Sequence, residues 1–386
     1  MRLGYLGLSA ATILLTGLLT GCGQDKTTAS GEEVIRIGSV APLTGAQSHI
    51  GKDNDNGARL AIDEANAKGL VLGGKPVKLE LVSEDDAADP KTATTVAQKL
   101  VDEGVKAVIG HLNSGTTIPA SKIYHDNGIP QVSPSATATA YTAQGYNTAF
   151  RVMANDAQQG KVLGDYAVTK LGARKVAIID DRTAYGQGLA DEVEKAVKAS
   201  GGTVVDREYT SDKATDFTAI LTSIKAKEPD LIFFGGMDPQ AGPMAQQMKR
   251  LDMHAQFLGG DGMQNLNFLK LAGADADGVI ASSPGLPLDS MPGGEDFKKR
   301  FEARYGPIQL YAPYAYDAVN VVIAAMKKAD SADPAKFILD LPKTDMQGVT
   351  GPLRFDAKGD IAGGSVTLYQ AKDGAWTKLE TVKSGQ

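Results

Sequence analysis

Four short segments carry side chains able to hold a charged small molecule. Gly110-His111-Leu112-Asn113-Ser114-Gly115-Thr116-Thr117 leads into a helix, so Ser114 and the free N–H groups beside it suit a carboxylate. Ser133-Pro134-Ser135-Ala136-Thr137 adds hydroxyls and backbone groups. Asp181 to Gly188 contributes Tyr185, and Gly259-Gly260-Asp261-Gly262 offers a carboxylate that could meet an ammonium. Each segment follows a predicted strand, and open parallel sheets bind ligands beyond the carboxyl ends of their strands. Taken singly, a Ser or Thr there also serves as a helix cap, and an Asp between glycines also makes a turn. Taken together, the four segments supply donors and acceptors suited to a zwitterion.

Other chemistries find less support. Ser114 has no Gly-x-Ser-x-Gly setting for a hydrolase. Gly186-Gln187-Gly188 lacks the third glycine of a dinucleotide loop, because Ala190 and Asp191 follow, and no Walker loop is present. Asp53-Asn54-Asp55-Asn56-Gly57 has its glycine one place early for a calcium loop and no closing Glu, so it reads as a solvated helix start. The four histidines, His49, His111, His125 and His254, are scattered and read as surface or loop residues. No catalytic group, metal or cofactor is expected. A net charge of −6 without any Lys/Arg cluster excludes nucleic acid as a natural partner.

The surrounding elements must position these segments. From Val34 onward strands and helices alternate. Strands are expected at 34–40, 105–109, 129–133, 175–180, 230–234 and 256–259. Helices are expected at 57–68, from Pro90 to Val101, at 119–127, 157–170, 187–199, 240–250, 295–305 and 313–328. Such alternation demands parallel sheets covered on both faces. The scheme restarts after Phe150, and 386 residues exceed one comfortable domain. The fold class is therefore α/β, with two Rossmann-like lobes joined by three hinge strands. The first lobe takes 34–154 and 285–349; the second takes 155–284 and 350–386. Short strands near 353–355, 365–370 and 376–379 are expected as hairpins added to the second lobe.

The amino terminus reads as an export leader over 1–22, with Arg2 ahead of an apolar run from Leu3 to Leu19. The chain's single cysteine closes Leu19-Thr20-Gly21-Cys22, which resembles a bacterial lipobox. Lipidation at Cys22 would tie the protein to a membrane through a flexible tether over 23–33. The expected location is periplasmic, or the cell surface of a Gram-positive host. With Cys22 spent on lipid, no disulfide is available.

Over nearly the whole chain the sequence resembles the leucine/isoleucine/valine-binding proteins, the type I periplasmic receptors of ABC importers. The resemblance rests on Ala41-Pro42-Leu43-Thr44-Gly45, Asp85-Asp86-Ala87-Ala88-Asp89-Pro90, Gly110-His111-Leu112 with Ser114, Pro119-Ala120-Ser121, Pro134-Ser135-Ala136-Thr137, Tyr185-Gly186-Gln187-Gly188, and Gly348-Val349-Thr350-Gly351-Pro352 with Phe355-Asp356. It implies a monomer that closes on an amino acid and delivers it to a permease and ATPase complex. It implies that Ser114 and Thr137 bind the ligand carboxylate, that Ser135 adds main-chain contacts, and that Asp261 and Tyr185 close on the ammonium. Ile50 and Met237 stand where many relatives carry aromatics, Asp261 where many carry Glu, and Ala88 and Asn113 where some carry a cysteine bridge. The same lobes also serve sensors of amides, aromatic acids or other amino acids. That reading stands as the alternative.

Overall fold

Alternating apolar strands and amphipathic helices produce two sheets, each covered by helices. The computed structural model describes residues 32–383. Cys22, the leader and the tether up to residue 31 lie outside the described residues. The first sheet has the strand order β2-β3-β1-β4-β5-β6. Its strands are β1 (Glu33–Ala41), β2 (Leu70–Leu72), β3 (Lys75–Asp85), β4 (Ala107–Gly110), β5 (Gln131–Ser133) and β6 (Ala149–Arg151). All pair in parallel except β2 on β3.

The second sheet is built from β7 (Lys175–Asp180), β8 (Thr203–Tyr209), β9 (Leu231–Gly235), β10 (Gln256–Gly259) and β11 (Ile280–Ser283), all parallel. After a ribbon of β12 (Asp345–Gln347) and β13 (Pro352–Arg354), the strands β14 (Ser365–Lys372) and β15 (Ala375–Lys383) extend the second sheet antiparallel beyond β11. β4 and β9 are buried along their whole length, as expected of strands covered on both faces.

The strand orders place two switch points. In the first sheet the chain builds outward from β1 to β3 on one side and to β4 on the other; in the second it does so from β7 to β8 and to β9. The crevices beyond Gly110 and Asp180 are therefore the natural ligand sites of the two sheets.

Among the described residues the chain passes between the sheets three times, over 152–155, 284–293 and 355–364. The third crossing lies later than expected. Thr350 N donates to Asp317 at 2.8 Å, and Arg151 N donates to Gly359 O at 2.9 Å. Residues 350–360 thus stay with the first lobe. The strand expected near 353 pairs with Asp345–Gln347 and not with the second sheet.

Two helices begin earlier than their apolar periodicity predicts. Helix Ser48–Lys68 starts nine residues ahead of 57, and helix Ser114–Asp126 contains Pro119 instead of opening on it. The run expected to be solvated is buried: Asp53 is 3% exposed. Its carboxylate accepts the N–H groups of Gln309, Leu310, Tyr311 and Ala312 at 2.8–3.1 Å. Helix Ala312–Ala329 has no side-chain cap of its own, so a residue of the neighbouring helix satisfies its free amides. Gly57 allows this approach, because a Cβ there would stand 2.3 Å from Ala312 O.

Candidate functional site

The two switch points face each other, and a narrow cavity lies between them. Leu112, Asn113, Ser114 and Ser135 line it from the first lobe with Tyr311; Tyr185, Met237 and Asp261 line it from the second. The enclosed space is about 10 Å³, room for roughly one water. Thr137 and Ile50 are buried at 0% and 1% exposure but are not among the lining residues.

Local turns fix each lining side chain. Ser114 opens its helix, and its Oγ accepts the N–H of Ala138 at 3.1 Å. Ser135 Oγ donates to Leu112 O at 3.1 Å and accepts from Asn54 Nδ2 at 3.1 Å. The loop carrying Ser135 and Thr137 is braced from below by Arg151. Its Nη1 donates to Ala136 O at 2.8 Å and to Ala138 O at 3.0 Å, and its Nε to Asp360 at 2.6 Å. On the second lobe Thr183 caps helix Ala184–Ala199 by accepting from Gly186 N at 2.9 Å. That cap sets Tyr185 one residue inside the helix.

Asp261 is the centre of the site. Tyr185 Oη donates to its Oδ1 at 2.8 Å, Gln159 Nε2 to the same oxygen at 3.2 Å, and Tyr311 Oη to Oδ2 at 2.6 Å. Tyr311 belongs to the first lobe, so this carboxylate joins the two lobes. Burial pushes the Asp261 carboxyl up from its ordinary range, opposed by the hydrogen bonds from Tyr311, Tyr185 and Gln159. Burial, followed by the Asp261 charge, raises both tyrosine hydroxyls well above their ordinary value, so they stay donors.

A second acid lies close by. Asp156 is 1% exposed, and the Thr137 hydroxyl faces its carboxylate. Burial, then the charge of Asp261, raises it well above the ordinary carboxylate range. Two buried acids beside open hydroxyls make a site short of positive charge.

The histidines divide. His111, expected at the surface or in a loop, lies in the loop after β4 but is fully buried, with Nδ1 2.9 Å from Asp86 and Nε2 3.0 Å from Tyr124 Oη. His49 of the first lobe stands 3.2 Å from Asp238 of the second. Among the described residues no group of three or more His, Cys, Asp or Glu is placed to hold a metal ion.

With this geometry in place, a model described as periplasmic binding protein matches residues 34–375. The chain belongs to the periplasmic binding protein family. Its relatives place it among the Leu/Ile/Val-binding proteins. The leucine-, isoleucine-, valine-, threonine- and alanine-binding protein of Pseudomonas aeruginosa is 34% identical over 350 residues, covering 90% of this chain and 93% of that one. The leucine binding protein LivK from Thermotoga maritima superposes with a TM-score of 0.85 at 26% identity, covering 90% of this chain and 98% of that one. LivJ from Streptococcus pneumoniae, solved with isoleucine, gives a TM-score of 0.82 at 30% identity, covering 91% and 100%. This periplasmic binding protein thus falls in the family of branched-chain amino-acid ABC-transporter substrate-binding proteins.

The sequence reading missed Tyr311, Gln159 and Asp156. Asp156 had a signal, since it sits just after Asn155, whose capping box with Gln158 starts a helix at a lobe crossing. Tyr311 had none within its own segment, because Asp53, far away in sequence, places it.

Proposed function

We propose that this protein binds an aliphatic amino acid, of the branched-chain type, between its lobes and delivers it to the permease of an ABC importer. The observation that carries this reading is Asp261, a buried carboxylate held by neutral donors from both lobes and by no cation. Such a charge costs several kcal/mol unless it is paired. An α-ammonium supplies the missing charge, with Asp156 as a second acid behind it. The ligand carboxylate then falls at the start of helix Ser114–Asp126, where Ser114, Ser135, Thr137 and free amides favour an anion. Leu112 and Met237 provide apolar walls for the side chain.

Binding proceeds by hinged closure. The cavity of this form is too small for an amino acid, so the lobes part to admit it and close around it at a wider separation. Ligand contacts drawn from both lobes favour the closed population. The ligands named for the Pseudomonas aeruginosa and Streptococcus pneumoniae proteins support the choice of substrate. Lipidation at Cys22 holds this monomer at a membrane, in the periplasm or at the surface of a Gram-positive cell. It needs no cofactor. The lone cysteine at the end of Leu19-Thr20-Gly21-Cys22 supports that anchor.

A thermal-shift screen of the twenty amino acids tests the reading. Stabilisation by Leu, Ile and Val is expected. No response to any α-amino acid would overturn it.

A further inference from the structure

A second cavity adjoins the first. It spans about 400 Å³ of a part-open cleft between the lobes and shares Asn113, Tyr185 and Met237 with the central cavity as common walls. A larger space of about 560 Å³ by Leu286 and Trp376 shares none of the central walls. Room for an extended ligand side chain therefore lies on the Asp181 side.

That side is polar and carries buried acceptors without partners. Asp181 is 2% exposed. Its Oδ1 accepts from Thr183 N at 2.9 Å and Thr183 Oγ1 at 2.6 Å, while Oδ2 has no partner. From the other lobe, Asn113 donates through Nδ2 to Gln47 Oε1 at 2.7 Å, and its Oδ1 is left buried and unpartnered. Both open atoms are acceptors. Asp212 also lines the cavity. Arg182 does too, but its guanidinium lies 3.5 Å from the Tyr209 ring centroid and is engaged there. Burial pushes the Asp181 carboxyl up to about 6, against the pull of the Thr183 hydrogen bonds. An arriving cation would offset the cost of ionising the carboxyl there.

We infer that this cavity is a side-chain subsite for longer amino acids ending in a cation or an N–H donor, anchored by Asp181 of the second lobe and Asn113 of the first. The inference rests on the amino-acid reading above and widens it. Short apolar side chains stay against Leu112 and Met237, and long amphipathic ones continue past Tyr185 to Asp181. An unpaired buried carboxylate gives such a ligand more than an exposed one would, because its desolvation cost is already met in the closed form.

The test is calorimetric titration of the protein with L-leucine, L-ornithine, L-lysine and L-arginine, repeated on Asp181→Asn. Asn keeps an acceptor for Thr183, and a thermal melt checks that the variant folds. Asp212→Asn provides a second variant that leaves that turn untouched. At least one of the three basic amino acids is expected to bind. Its affinity should fall at least about tenfold in Asp181→Asn and about threefold in Asp212→Asn, with leucine held within about threefold in both. Leucine binding without binding of any basic amino acid overturns this inference and leaves the amino-acid reading intact. Basic ligands that bind parent and variant equally also overturn it. If no α-amino acid binds, the underlying reading fails first.

Discussion

Tyr185 and Tyr311 hold Asp261 from opposite lobes, and the two hydroxyls differ in what they do. Tyr185 also accepts the N–H of Gly262 at 3.0 Å, so it orders its own lobe. Tyr311 spans the gap. Tyr311→Phe removes one charge-assisted hydrogen bond that exists only when the lobes are shut. It should weaken amino-acid binding by about 1.5 kcal/mol, roughly tenfold, with little loss of thermal stability; titration calorimetry and a melting curve check both. Asp261, Tyr185 and Ser114 were named from the sequence because each lies shortly after a strand, and all three line the cavity between the lobes. Tyr311 and His111 were not. Tyr311 is placed by Asp53 through four amides, and His111 is buried because Asp86 and Tyr124 satisfy both ring nitrogens.

At the scale of elements, the weight falls on two contacts that tie distant segments together. Arg151 on β6 is fully buried, and Asp360 is its ion-pair partner at 2.6 Å from the third crossing. Asp360 also accepts from Thr142 at 2.9 Å and from Asn155 at 3.0 Å. Asp360→Ala leaves a buried guanidinium without its counter-charge and should cost about 3–5 kcal/mol in denaturant unfolding. Because Arg151 braces the Ser135–Thr137 loop, ligand affinity should fall as well. The second contact is at Gly57. Gly57→Ala would force helix Ser48–Lys68 away from Ala312 and shift Tyr311 with it. A loss of at least about 2 kcal/mol is expected, seen as a lower melting temperature.

Helix periodicity revealed most elements, since apolar residues at 3–4 spacing mark a buried stripe. It failed at Ser48–Asn56, whose polar residues are buried by hydrogen bonding and not by apolar packing. It also failed at β6 and β11, strands too short to show a pattern.

Across the whole molecule, several buried acids set the response to pH. Burial raises Asp53, Asp156, Asp261 and Asp317, and takes Asp181 up to about 6. In each case the folded protein binds a proton more readily than the unfolded chain. The associated stability is fully present below the ordinary carboxylate range and is lost as pH rises through the raised value. For Asp181 that window runs from about 4 to about 6, and the shift from 3.8 corresponds to roughly 3 kcal/mol. The ligand-free protein should therefore melt at a higher temperature at pH 5 than at pH 7.5 in differential scanning calorimetry. An ammonium favours the ionised Asp261, so saturating leucine should reduce that pH slope, and leucine affinity should weaken on acidification.

The two-lobe architecture was legible from the restart of strand–helix alternation after Phe150. The course of the third crossing was not, because the Arg151–Asp360 pair that holds it joins residues far apart in sequence.

The most direct measurement is isothermal titration of L-leucine into the protein and into Asp261→Ala at pH 7.5. Saturable binding to the parent and an affinity at least about tenfold lower in the variant, a difference of about 1.4 kcal/mol or more, is the predicted result. Equal affinity in the two proteins would contradict the assignment of Asp261 to the ligand ammonium.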